Sequence, residues 1–321
     1  MSLNPYEAPQ YQATLSSLTY YQPLTTKLNL GEYRRISKNW FEFVLGVCLK
    51  FLRIRLPMSF AFADTAHFQR LTPQDLSVRA REQIKPVADE ALALKLKYAF
   101  SYWLPTVGTI EGAAATFLSE DGRSILLIIY ARTWTQVTAD EKVAFAFVTR
   151  LADGKAIVTS GSKADLDSPP HLLGESHPGM PMADLLNRHQ QRVREVGTSI
   201  MPVYDENQLE EVLREYEREN FAFNVERGVY VPVSQRELAR LQQLAVAAPV
   251  APKSKAKQRF QGIEMFCWIT LGIGVFMFSR DAPVNGAQAI FRVSILVVAG
   301  AGIVIIWVIR GVTSLRSEAD G

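Results

Sequence analysis

Three histidines fall close together in the chain, His171, His177 and His189, with Glu175 and Asp184 between them. Imidazole nitrogens beside a carboxylate are a donor set for a divalent metal, and a bound metal can activate water for hydrolysis. The spacing follows no established ligand pattern. His171 and His177 lie in SKADLDSPPHLLGESHPGMP, whose Pro, Gly, Ser and Asp content reads as a loop. The competing reading is ordinary loop histidines and a helix-surface His189. His171, His177 and His189 therefore stand as metal candidates, and a metal-dependent hydrolase stands as an alternative function.

Other chemistries lack their residues. There is no GxSxG nucleophile elbow, no GxxxxGK phosphate loop and no GxGxxG fingerprint. Asp165 and Asp167 form a close carboxylate pair, but in the same loop, where they suit turns better than acid–base work. The two cysteines, Cys48 and Cys267, each sit in an apolar segment. That excludes a disulfide scaffold and a cysteine zinc site, and the expectation is two buried thiols. No catalytic residue and no cofactor is assigned.

The elements around the histidines indicate an α+β class. Asp121-Gly122 and Asp153-Gly154 each separate two apolar, β-rich runs, which predicts two hairpins. Together they make an antiparallel meander of about four strands, to be covered by helices. The strand VAFAFVTR alternates poorly and is expected to be buried on both faces. Helices are expected over residues 72–98, 182–196 and 206–219, with Pro73 and Pro86 at helix starts. A last short strand is expected at 229–233. Ser234 should then cap a helix through Leu244, with Glu237 completing a capping box.

The net charge of +3 is unevenly spread. Residues 27–55 and 253–321 are basic, whereas 56–252 are mildly acidic. Basic flanks beside apolar stretches suit an anionic membrane surface rather than a nucleic acid. Two apolar runs, 263–278 and 293–309, are joined by a polar turn containing Pro283, Asn285 and Gly286. With Arg259 and Arg280 snorkelling, the first run spans a core of about 30 Å, so the pair reads as a transmembrane hairpin. Lys253, Lys255, Lys257 and Arg259 precede it and Arg310 and Arg316 follow it, against Arg280 and Arg292 at the turn. The positive-inside rule then places both ends in the cytoplasm. Gly272, Gly274, Gly300 and Gly302 lie mid-way along the runs, where small residues let helices approach. They are expected to pack within the hairpin, with a homo-oligomer face as the alternative.

The expected organisation is a disordered leader at 1–30, with no signal peptide, and an α+β domain at 31–246. A linker at 247–259, the hairpin at 260–310 and a tail at 311–321 follow. Within the domain, an amphipathic helix over 38–56 is the candidate contact element. Its residues Trp40, Phe41, Leu45, Lys50, Phe51 and Arg53 are candidates for the membrane surface. Glu42, Gly46, Lys50 and Arg53 would form a narrow polar stripe. Two readings stay open: an interfacial helix with that stripe towards headgroups, or a core helix with the stripe in water.

The opening NPYEAP, residues 4–9, resembles the NPYxAP-like start of uncharacterised planctomycete-type bacterial membrane proteins. The resemblance covers about six residues. It implies a bacterial inner-membrane protein with short membrane segments and no assigned activity. The sequence as a whole points to a membrane-tethered, non-enzymatic protein. Its cytoplasmic domain would bind a protein partner or an apolar ligand at the bilayer surface. A purely structural, oligomerising membrane protein is a further alternative.

Overall fold

Two Asp-Gly turns set the architecture. The computed structural model describes residues 18–37, 39–52, 58–64, 68–134 and 139–246. The chain divides into two units, Met1–Pro249 and Val250–Gly321. The linker, both apolar runs, Cys267 and the four packing glycines lie outside the described residues, as does Arg53.

In chain order the strands are β1 (Tyr20–Pro23), β2 (Phe60–Ala63), β3 (Arg70–Leu71), β4 (Lys97–Trp103), β5 (Thr106–Gly108) and β6 (Ile110–Leu118). They continue as β7 (Ile125–Trp134), β8 (Ala139–Arg150), β9 (Ala156–Ser160), β10 (Leu172–Ser176) and β11 (Tyr230–Pro232). The helices are α1 (Leu30–Ile36), α2 (Trp40–Phe51), α3 (Val78–Ala93), α4 (Met182–Val196), α5 (Glu206–Glu226) and α6 (Gln235–Val246).

The meander β6-β7-β8-β9 is present, antiparallel throughout, with the Asp-Gly turns where the sequence puts them. It is the centre of a larger sheet of seven strands, ordered β10-β9-β8-β7-β6-β4-β3. The expectation of about four strands is therefore too small. β3 and β4 extend one edge, and β10 joins the other edge parallel to β9. A second sheet of four strands, β11-β1-β2-β5, is wholly antiparallel.

Both faces of the large sheet are apolar, so it needs two covers. Ala113, Ala115, Phe117, Leu126, Ile128, Tyr130 and Phe147 pack under α3 and α4, through Ala80, Ile84, Met182 and Leu185. On the opposite face, Phe100, Tyr102, Ala114, Leu127 and Val148 pack under α5 through Leu209 and Leu213. This explains the weak alternation of VAFAFVTR: Phe147 and Val148 are both buried, on opposite sides.

Helix α5 is about 32 Å long at 1.5 Å per residue and serves both sheets. Its later residue Phe221 stacks edge-on against Tyr21 at 4.9 Å, with Phe62 and Tyr230 around it. The small sheet's other face holds α6, where Leu241 packs with Tyr20, Ala61 and Ala63. Ser234 Oγ accepts from Glu237 N at 3.3 Å at the start of α6, as its sequence suggests.

Several boundaries differ from expectation, among them the helix expected over 206–219, which runs on to Glu226 because Phe221 and Asn224 are buried along it. The leader was expected to run to residue 30, yet β1 and the start of α1 fall within it. Tyr20 is buried there, so the folded part begins earlier. The helix expected over 72–98 is a 3-10 turn, Pro73–Asp75, which Pro73 starts as expected, followed by α3, capped by Ser77, whose Oγ accepts from Ala80 N at 3.1 Å. Residues 97 and 98 already belong to β4, because Leu96, Phe100 and Tyr102 are needed in the sheet's core. Pro86 lies inside α3 rather than at a start, which removes one helix hydrogen bond on its exposed side.

The two Asp-Gly turns make a direct test of close approach. Gly122 and Gly154 both have left-handed φ, +69° and +80°. A Cβ on Gly122 would collide with the Val203 carbonyl, whereas one on Gly154 meets nothing within 4 Å. Gly154→Ala should therefore cost only the left-handed penalty, about 1 kcal/mol. Gly122→Ala adds overpacking and should cost about 1–3 kcal/mol more by chemical denaturation.

Candidate binding surface on α2

The local geometry begins with two caps. Asn29 starts α1 with a full capping box: its Oδ1 accepts from Glu32 N at 2.9 Å, and Glu32 Oε2 accepts from Asn29 N at 2.8 Å. Asn39 starts α2 in the same way, with Oδ1 accepting from Glu42 N at 2.9 Å. The two helices then pack through Gly46. A Cβ there would lie 2.7 Å from the Tyr33 ring, so only glycine permits this approach.

That contact fixes which way α2 faces, and it turns part of the expected polar stripe, Gly46 and Lys50, inward. Gly46 and Lys50 were read as part of a polar stripe facing headgroups or water. Instead they face inward. Lys50 Nζ donates to the Leu28 carbonyl and sits 6.0 Å from the Tyr33 ring centroid. Leu49 is buried, and Phe43 packs on the cluster of Leu28, Tyr33 and Val229. The lysine stem covers apolar surface while its ammonium finds a carbonyl, which is how a charged residue can line a helix contact. Lys50 is therefore corrected from a membrane-surface residue to a packing residue.

The side left outward is apolar. Trp40 is 69% exposed, Phe51 74%, Val44 39% and Leu52 37%, and Cys48 is exposed as well. At 100° per residue, Trp40, Val44, Cys48 and Phe51 fall within an arc of roughly 80°. The expectation that Cys48 is a buried thiol is thus overturned. Leu45 is half-buried at the margin, and the side chain of Phe41 is outside the described residues. On α1, Leu30 and Ile36 add further exposed apolar surface.

α1 itself is anchored by a buried ionic network that sequence reading missed. Glu32 is fully buried. Both its oxygens accept from Arg227 Nη2 at 2.8 Å, and Oε1 also accepts from Asp167 N at 2.9 Å. Asp167 in turn accepts from Asn29 Nδ2 at 2.6 Å and from Arg35. Burial alone would raise the Glu32 carboxyl. The hydrogen bonds from Asp167, Arg227 and Asn29 and the Arg227 charge outweigh it and hold the group below its usual range. Asp167 is therefore a fixed acceptor in an ion network, more than the turn residue expected of it.

The three histidines do not converge. His171 Nε2 lies 2.9 Å from Glu219 on α5. His177 lies 3.1 Å from Glu175, which also accepts two hydrogen bonds from Arg188 at 3.0 and 3.1 Å and has Arg192 at 3.7 Å. Two guanidiniums on that carboxylate oppose a metal cation. His189 is not on the helix surface, as the competing reading had it, but fully buried. Its Nε2 faces Thr149 Oγ1 at 2.8 Å and its Nδ1 faces Thr159 Oγ1 at 3.0 Å, so no nitrogen is free for a metal. Among the described residues no group of three or more His, Cys, Asp or Glu can hold a metal ion.

A shallow hollow along α5 is lined by Glu210, Arg214, Glu215 and their neighbours. Two of its charged groups are tied up, Arg214 with Glu210 at 2.6 Å inside the hollow and Glu215 with Arg150 outside it. Among the described residues no helix is long and apolar enough to cross a membrane. No protein-family model, curated protein or solved structure shows significant similarity to this chain.

Proposed function

We propose that this chain is a membrane-tethered binding protein. Its α+β unit presents the outward face of α2 to an apolar partner at the membrane surface. The observation that carries this reading is the exposed stripe of Trp40, Val44, Cys48 and Phe51 on a helix whose opposite side is locked to α1. A large apolar patch held rigidly in water is a recurring mark of an interaction surface. The two apolar runs at 263–278 and 293–309 supply the tether, with both chain ends on the cytoplasmic side of a bacterial inner membrane.

The test is a photo-crosslinker, p-benzoylphenylalanine, in place of Phe51 in the full chain within native membranes. The expected result is a strong adduct, to protein or to lipid. The same probe at Tyr204, which is as exposed as Phe51 but distant from α2 in sequence, is the control. If position 51 gives no more adduct than position 204, the surface has no occupant and the proposal is wrong.

A further inference from the structure

We infer that the occupant of the α2 face is the lipid bilayer itself, so that the α+β unit is held to the membrane at two points. This rests on the tethered-domain reading above and names the partner that reading leaves open.

The first support is where the chain leaves the unit. The described chain ends with α6, and α6 packs on the small sheet through Leu238, Leu241 and Leu244. α2 reaches the same sheet through a shared cluster: Phe43 packs on Leu28, Tyr33 and Val229, and Tyr230 of β11 packs on the same three residues. Arg240 of α6 also donates to the Met58 carbonyl, shortly after α2 in the chain. The contact helix and the exit helix are thus fixed to one small module.

The second support is the length of chain beyond it. About sixteen residues, 247–262, separate α6 from the first apolar run. A flexible chain of that length has a mean reach of roughly 20–25 Å, which on the tethered-domain reading keeps the whole unit close to the bilayer. Tethering over such a distance gives an effective concentration in the millimolar range. A single short helix that would bind lipid weakly from solution is then engaged.

The third support is chemical. The exposed residues are the types that enter an interface: Trp40 and Phe51 at the two ends of the stripe, Val44 and Cys48 between. The neighbouring sequence is basic: Arg34 is exposed on α1, and Arg53 and Arg55, outside the described residues, follow α2 in the sequence. That suits anionic headgroups.

Cys48 makes the test simple. With Cys267→Ser in the full chain, Cys48 is the sole thiol and accepts a nitroxide label in the middle of the stripe. The chain is reconstituted in vesicles of phosphatidylcholine with a minority of phosphatidylglycerol. Label collisions with oxygen and with an aqueous nickel chelate are then compared. The expected result is a membrane signature, oxygen collisions dominating, at position 48. A label at Glu195→Cys in a Cys48→Ser background should keep a water signature. Trp40→Asp with Phe51→Asp should return position 48 to water while the circular dichroism stays unchanged.

Other outcomes overturn the inference in distinguishable ways. A water signature in lipid vesicles but shielding in native membranes would mean a protein occupant. The two-point attachment would then be wrong while the tethered-domain reading stood. Shielding accompanied by spin–spin broadening that grows with the protein-to-lipid ratio would mean a second copy of this chain. A water signature in both settings would remove both readings.

Discussion

Arg227→Met is expected to destabilise the α+β unit by about 3 kcal/mol, read as a shift in its denaturation midpoint. Removing one partner of a buried ion pair typically costs about 3–5 kcal/mol, because the other charge is left without compensation. The lower end applies here. Arg227 keeps some solvent exposure, and Glu32 retains the backbone donors of Asn29 and Asp167. Glu32→Gln together with Arg227→Met should recover part of the loss, since the stranded charge is then gone. A double variant as unstable as the sum of the singles would show that the pair is not coupled. The network also has a pH signature. The folded Glu32 carboxyl lies below its ordinary value of 4.5, so its contribution is present above that pH and is lost as pH falls below it. Glu32→Gln should remove that part of the acid-side loss.

His189 sets a second and earlier acid window. Thr149 Oγ1 donates to the Arg123 carbonyl at 2.7 Å, so it can only accept from His189, which places the imidazole proton on Nε2. Thr159 then donates to Nδ1. The ring also stacks on Phe147, with centroids 5.8 Å apart. Burial, reinforced by the Arg192 charge and slightly opposed by Glu175, pushes the imidazole from 6.5 down to about 4. The unfolded chain therefore binds a proton between those values that the folded chain does not. Stability is full above about 6.5, falls as pH drops from 6.5 to 4, and loses nothing further from this group below that. The loss amounts to about 3 kcal/mol, at about 1.4 kcal/mol per pH unit. Denaturation midpoints measured from about pH 7 to pH 4.5 should slope down for the parent chain, and His189→Gln should flatten that slope. Parallel profiles would sink the assignment.

These two residues also mark where the sequence ceased to be readable. The central meander was legible because Asp121-Gly122 and Asp153-Gly154 are local signals lying between long apolar runs. α4 and α6 were legible from period and capping, and β11, though only three residues long, from the β-branched and aromatic run Val229 to Val233 just before the Ser234 cap. β2, β3 and β5 were not, because strands of two to four residues are too short to show a period. β10 was hidden within a Pro-rich loop, and its parallel pairing depends on a return path that no local residue announces. The Glu32 network joins positions 135 and 195 residues apart, so nothing near Glu32 reveals its partners. The only local trace was the Asn29-to-Glu32 spacing of a capping box. The α2 surface was half legible. Its composition marked it as a contact element, but its facing was set by Gly46 meeting Tyr33. A wheel drawn on α2 alone therefore puts Trp40 and Phe51 on the outward side but cannot show that Gly46 and Lys50 turn inward.

The most direct test of the central claim, that the outward face of α2 is covered in the cell, is the reactivity of Cys48. In inside-out native membrane vesicles, the full chain with Cys267→Ser would be treated with a charged, membrane-impermeant maleimide. The comparison is a cysteine at Glu195→Cys in a Cys48→Ser background. Both sites are exposed on the isolated fold, so any difference reports what the membrane adds. The account predicts that Cys48 reacts many-fold more slowly than position 195, and that Phe51→Asp restores its rate. Equal rates at the two positions would contradict it.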